Sequence, residues 1–276
     1  MARLDPRNST QYWWDRHLSG LSLLCADFTT HEYPPHTHDA LVVAVTERGG
    51  SVVKSRGQVQ DAQASTMFVF NPAEPHAGWM GWSERWQYRA MYLAQDALDG
   101  VAHCLGIEEI PYFTSNLFGD PDLIQGFLAM HRAIEEGRDV FRERELLIGS
   151  FGILFQRHGS GRTGIKAAPR DSVLVGRVKA RMEAEYASDL RLEDLAASVG
   201  LTTFQLIGLF KRTVGLTPHA YLTQIRLGAA CRHLRRAAAP AEVATAVGFY
   251  DQSALNKHFK RCYGITPLQF ARAAAA

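Results

Sequence analysis

The sequence predicts a two-domain α+β protein: an all-β N-terminal sandwich or small barrel with trailing helices, then an all-α C-terminal domain. Three observations carry this. Short β-branched and aromatic runs crowd residues 41–93, with turn residues between them. From Ser172 onward the chain reads as helix throughout. And one helical unit is written twice. VGLTTFQLIGLFKRTVGLTPHAY (199–221) and VGFYDQSALNKHFKRCYGITPLQF (247–270) share V-G-[LF], L-x₃-F-K-R and G-[LI]-T-P at a spacing of 48–49 residues. A fixed internal period is an architectural signal.

Taken in order, LVVAV (41–45), SVVKS (51–55) and TMFVF (66–70) read as separate strands. Arg48-Gly49-Gly50, Arg56-Gly57 and Asn71-Pro72 supply the turns between and after them. WQYRAMYL (86–93) alternates as a further strand, and Tyr12-Trp13-Trp14 reads as an arm over the barrel or an edge strand. Helices follow over 120–137, which opens on an Asp cap with Pro in the first turn, and over 141–158. Residues 159–171, GSGRTGIKAAPRD, are Gly-rich, basic and aperiodic, which is linker chemistry. The expected domains are therefore 1–158 and 172–276. The second holds helices at 172–186, 192–200, 203–214, 218–238, 241–248, 251–263 and 267–274. Thr217-Pro218 and Thr266-Pro267 are cap-plus-first-turn pairs. Gly200, Gly215, Gly248 and Gly264 sit where helices must stop.

Composition narrows the class. The 276 residues are 46% hydrophobic and 21% charged, as in a soluble globular protein. No apolar run reaches the roughly 18 residues of a membrane span, and the N-terminus lacks the apolar core of a signal peptide, so a cytoplasmic protein without membrane partners is expected. Cys25, Cys104, Cys231 and Cys262 are scattered, which argues against a disulfide framework or a zinc ribbon. Net charge is +2, split unevenly: residues 171–276 hold 14 Lys/Arg against 8 Asp/Glu, and residues 1–170 hold 16 against 20. A basic C-terminal part suits a polyanionic partner.

Each repeated unit is a short helix, a tight Gly turn and a second, basic helix: a helix-turn-helix. Ala196 and Ala244 fall where the two helices approach; Leu206, Leu209 and Phe210, and in the second copy Leu255 and Phe259, form the apolar stripes. A linking helix over 218–238 would span roughly 30 Å, close to the 34 Å turn of B-DNA. One chain could then read two adjacent major grooves of double-stranded DNA.

Residues 172–273, and above all A-x₃-G-F-x-D-Q-S-x₅-F-K-R-x-x-G-x-T-P from Ala244, resemble the DNA-binding domain of the AraC/XylS family of bacterial transcription regulators. The resemblance implies base readers at Thr203, Phe204, Ile207 and Gly208 in the first copy, and at Gln252, Ser253, Asn256 and Lys257 in the second. Gln and Asn suit adenine and Lys suits guanine. The first set departs from the family's polar residues, so discrimination is expected to rest on the second. Lys211, Arg212, Lys260 and Arg261 read as phosphate contacts, and Arg226 as a phosphate contact or a solvated charge.

YPPHTHDALVVAVTERGG and MFVFNPAEPHAGW resemble the cupin-like sensory domain of the same family. That implies a jelly roll holding a small-molecule effector. His36, His38, Arg48, Glu74, His76, Trp79, Trp86 and Tyr88 are the expected effector-binding residues. His36, His38 and His76 have the H-x-H-plus-distant-His spacing of cupin metal enzymes, but Val42 stands where those enzymes place Glu and their remaining ligands are missing. The reading is therefore a regulator without a cofactor or a catalytic residue; the alternative is a metal-dependent cupin enzyme fused to a DNA-binding module. Likeness to the family further implies activation of transcription, a homodimer with 120–158 as its candidate surface, and contact with RNA polymerase.

Overall fold

The computed structural model describes residues 8–161, 163–169, 171–236, 238–263 and 265–275. They form two compact units, the first built from 1–135 and 146–165, the second from 136–145 and 166–276.

Among the described residues of the first unit nine strands run in chain order: β1 (Ser9–Trp14), β2 (Leu21–Phe28), β3 (Glu32–His36), β4 (Leu41–Ser55), β5 (Gln58–Gln63), β6 (Met67–Phe70), β7 (His76–Trp79), β8 (Trp86–Leu93) and β9 (Leu117–Phe118). All pairings are antiparallel. One layer is ordered β1-β2-β8-β4-β6-β9; the other joins β3, β7, β4 and β5. Tyr12-Trp13-Trp14 is the edge strand β1, paired with β2.

The runs 41–45 and 51–55 are not separate strands. They are the two halves of β4, which belongs to both layers: its first half pairs with β6 and β8, its second with β5 and β7. The Arg48-Gly49-Gly50 turn signal marks the place where the strand changes layer. The β4–β8 register shifts between Thr46 and Arg48, and Gly49 has φ +74°. A Cβ on Gly49 would lie 1.6 Å from the Arg85 carbonyl oxygen. Only glycine fits this bulge, and the bulge folds one strand around the core.

Between the layers lie Leu24, Ala26, Phe28, Val42, Ala44, Val53, Phe68, Phe70, Trp86, Tyr88 and Ala90, all buried. The alternate residues of the same strands, Leu21, Leu23, Val43, Val45, Met91 and Leu93, are buried too. Burial on both faces explains why LVVAV is continuously apolar rather than alternating. Helices α1 (Gln95–Leu105), α2 (Pro121–Glu136) and α3 (Val140–His158) follow. Arg157 near the end of α3 pairs with Asp120 and Asp122 at the start of α2, so the two run antiparallel as expected. On α2, fully buried His131 meets the Ala90 carbonyl of β8 at 3.2 Å. Helix α1 had no counterpart in the sequence reading.

The second unit contains α4 (Ser172–Glu185), α5 (Leu192–Ala197), α6 (Thr203–Thr213), α7 (Pro218–Leu234), α8 (Pro240–Ala246), α9 (Gln252–Tyr263) and α10 (Pro267–Ala275). The caps are made. Thr217 accepts from the Ala220 amide, Thr266 from the Gln269 amide, and Thr202 forms a capping box with Gln205. Gly200, Gly215 and Gly248 have positive φ, while Gly264 lies outside the described residues. Ala196, Ala244, Leu206, Leu209, Phe210, Leu255 and Phe259 are at most 1% exposed, the packing that the two stripes called for. Among the described residues no helix is long and apolar enough to cross a membrane.

Candidate functional site

Between the two β layers lies a cavity of about 90 Å³. The alternation of β8 aims Trp86, Tyr88, Ala90 and Tyr92 into it; β4 contributes Val42, Ala44 and Val53, and β6 contributes Phe68 and Phe70. Tyr33, His36, His38 and His76 complete its polar lining. The Tyr33 and Tyr88 hydroxyls are 2.6 Å apart, and burial raises the pKa of both phenols and of Tyr92. Burial also holds His38 below the usual imidazole range and His76 down at about 4. The cavity wall is therefore largely aromatic and apolar, with phenol hydroxyls and imidazoles as its polar handles.

Of the eight expected effector residues, five line the cavity: His36, His38, His76, Trp86 and Tyr88. Three do not. Arg48 is exposed beside the β4 bulge, and Trp79 falls past the last β7 residue that faces inward. Glu74 is buried, but its carboxylate accepts from Ser55, Arg56, Asn71 and Asn116. Burial pushes its pKa up; these bonds outweigh that and hold it at about 2. Its capacity is thus spent on fixing the β6–β7 turn. Tyr33, Phe68, Phe70 and Tyr92 were missed. Tyr92 was legible, because it shares the even-numbered face of WQYRAMYL with Trp86 and Tyr88. Tyr33 was not, because β3 carries two prolines and no alternation.

In the second unit the paired helices differ in what they present. On α9, Gln252, Ser253, Lys257, Lys260 and Arg261 are exposed and Asn256 is half-buried. Lys257 lies 3.3 Å from Glu136 of the same unit. On α6, Thr203 and Ile207 are only 3% and 4% exposed, which removes them from the base-reading surface in this conformation. The reason is periodicity: Thr203, Leu206, Ile207 and Phe210 follow the i, i+3, i+4, i+7 pattern of one helix face, and that face is the core. Phe204 and Gly208 are half-buried. Lys211 and Arg212 are exposed, but Arg212 donates to the carbonyls of Ala168 and Pro169 at 2.6 and 2.8 Å. Gln205 donates to the Ala167 carbonyl, and a Cβ on Gly208 would sit 3.3 Å from that of Ala168. The segment 167–169 thus runs along α6.

Two further expectations change. Helix α7 ends at Leu234, so its 17 residues span about 25 Å rather than 30 Å. Arg226 is neither a phosphate contact nor a solvated charge: it donates to the carbonyls of Tyr186 and Ser188 and braces the unit.

Two family models match the chain, an AraC-like ligand binding domain over residues 19–151 and a helix-turn-helix domain over 195–273. The chain belongs to the AraC-type transcriptional regulators. Its ligand-binding match contains the lined cavity, and its DNA-binding match contains both repeated units. The HTH-type transcriptional regulator YbfI of Bacillus subtilis is 28% identical over 80% of this chain and 81% of its own. The HTH-type transcriptional activator RhaS of Salmonella schwarzengrund is 23% identical over 85% and 86%. Among solved structures, an AraC-type regulator from Chromobacterium violaceum is 26% identical, covering 38% of this chain and 94% of that one, with a TM-score of 0.36. As an AraC-type regulator, the protein joins a β-rich ligand-binding domain to a helical DNA-binding domain, and its relatives are described as regulators of transcription.

Proposed function

We propose that a compact small molecule enters the cavity between the β layers and changes how the two helix-turn-helix units engage adjacent major grooves of double-stranded DNA. The observation that carries this is the cavity itself: an aromatic space lined by no Asp, Glu, Lys or Arg, inside the region that matches a ligand-binding domain. Pockets for drug-sized ligands hold roughly 300–1,000 Å³; about 90 Å³ selects something much smaller, or widens on binding. Tyr33, Tyr88, Tyr92 and the three histidines would orient it by hydrogen bonds, with Trp86 and Phe70 packing on its apolar part. Arg48, Glu74 and Trp79 have no part in this reading.

On the DNA side, Gln252, Ser253, Asn256 and Lys257 read bases, and Lys211, Lys260 and Arg261 hold phosphates. Activation is the proposed mode, in line with the description of RhaS as an activator. The protein then acts in the cytoplasm, as a homodimer built on α2 and α3, through contact with RNA polymerase.

The test is a footprint of the full-length protein on the DNA flanking its own gene, at two salt concentrations. Protection of roughly 20 base pairs over two adjacent major grooves, selective in sequence and weakened by salt, is the expected result. Protection of a single groove would overturn the two-groove reading. A small-molecule screen by thermal shift, repeated on Tyr88→Phe and Trp86→Ala, tests the pocket.

A further inference from the structure

We infer that His36, His38 and His76 form a binding site for one divalent transition-metal ion at the wall of the cavity. Their candidate ligand atoms all lie within 4.8 Å of one another. Two of the rings are pre-set. His36 Nδ1 donates to the Pro34 carbonyl at 2.7 Å, and His76 Nδ1 donates to the Glu74 carbonyl at 2.9 Å. In each the Nδ1 proton points at the backbone, which turns Nε2 away from it; His36 Nε2 then accepts a hydrogen bond from His38 Nε2. Backbone carbonyls holding the far nitrogen are the arrangement that orients metal-ligating imidazoles.

The distance between the first two ligands fits. His36 Nε2 and His38 Nε2 are 3.1 Å apart, a hydrogen bond whose proton an ion would displace. Two nitrogens bound to one ion at about 2.0–2.1 Å, at tetrahedral to octahedral angles, are separated by roughly 3.0–3.4 Å. His76 is held beside them. Its ring is stacked on Phe70 with centroids 3.9 Å apart, and the turn that carries it is fixed by the Glu74 network. Three imidazoles with no carboxylate select zinc, nickel, cobalt, copper or ferrous iron over magnesium or calcium.

The position four residues after His38 is Val42, a cavity-lining apolar residue, so the protein supplies three ligands and leaves the ion's remaining positions open toward the cavity. The ion would give a pocket lined by no Asp, Glu, Lys or Arg one positive centre. The inference concerns the same cavity as the proposed effector but does not depend on it: an effector can bind there without metal, and metal without effector.

The test uses full-length protein stripped with a chelator, titrated with Co²⁺ and separately with Zn²⁺. One Co²⁺ per chain with visible d–d absorption, Zn²⁺ uptake in the same stoichiometry, and a Zn²⁺-dependent rise in melting temperature are expected. His38→Ala and His36→Gln should each weaken uptake at least tenfold, while His103→Ala, on the surface of α1, should leave it unchanged. His38 and His36 are chosen because each is only partly buried, and circular dichroism confirms that the variants fold. No stoichiometric uptake, or uptake that survives both substitutions, would overturn the site while leaving the effector reading intact.

Discussion

The two helix-turn-helix copies keep the same skeleton and differ on the surface it carries. At an offset of 49 residues, Leu206 matches Leu255, Phe210 matches Phe259, and the cap Thr202 matches Asp251, which accepts from the Ala254 amide at 2.7 Å. All four stripe residues have no exposed surface. Between them the pairs diverge: Ile207 against Asn256, Gly208 against Lys257, Leu209 against His258. Packing tolerates little variation at a buried stripe, because a close-packed interior transmits every change of volume. The remaining face is free to become specific, as in α9, or to lie against a neighbouring segment, as α6 lies against 167–169.

The largest effect should fall on what the copies share. Phe210→Ala and Phe259→Ala should each cost about 3–5 kcal/mol, measured by chemical denaturation of the full chain. A loss confined to one copy would break the claim of a common skeleton. The turns sharpen the comparison. Gly248 has φ +88°, and a Cβ there would sit 2.8 Å from the Tyr186 carbonyl oxygen; Gly200 has φ +68° and open space around it. Gly248→Ala should therefore destabilise by about 2–3 kcal/mol and Gly200→Ala by about 1 kcal/mol.

Next come the readers. Asn256→Ala should lower affinity for the cognate site by about 1–3 kcal/mol and relax base preference at one position, measured by mobility shift against a panel of mutated sites. Ile207→Ala should instead lower stability and leave base preference alone. Equal loss on cognate and random DNA for Asn256→Ala would remove it from base readout.

His258 stacks on Phe249, and burial, with His219 adding to it, holds its pKa down at about 4. The unfolded chain binds this proton near 6.5. Between those values the unfolded state holds more protons, so stability falls as pH drops from about 6.5 and the loss is complete below about 4. His258→Leu, which copies Leu209, should flatten that part of the pH profile; an unchanged profile would place the acid sensitivity elsewhere. The smallest difference is electrostatic. Arg261→Ala should lower the salt dependence of DNA binding by about one counterion, and Arg212→Ala should do less, since its guanidinium is engaged by the Ala168 and Pro169 carbonyls.

Much of this was legible in the chain because it is local. The helix-turn-helix repeat, its caps at Thr217 and Thr266 and its stripes at Leu206, Phe210, Leu255 and Phe259 follow from spacing along a helix. So does the inward face of Trp86 and Tyr88 along a strand. Ile207 could have been read the same way, since its i+4 relation to Thr203 and i−3 relation to Phe210 put it on the core face; aligning it with polar base readers overrode that signal.

What the sequence determined by itself was therefore which residues share a face of one element, because the 3.6- and 2-residue periods are properties of the backbone alone. Tertiary structure decided which faces meet. It made one strand of 41–55, because Gly49 permits a bulge against Arg85 that no other residue allows. It moved Glu74 from the cavity to a bonding network with Arg56, Asn71 and Asn116, and Arg226 from the surface to two backbone carbonyls. It brought His36 and His38 to His76 across 38 residues of chain. Contacts of that kind depend on where the strands close, and no local period records it.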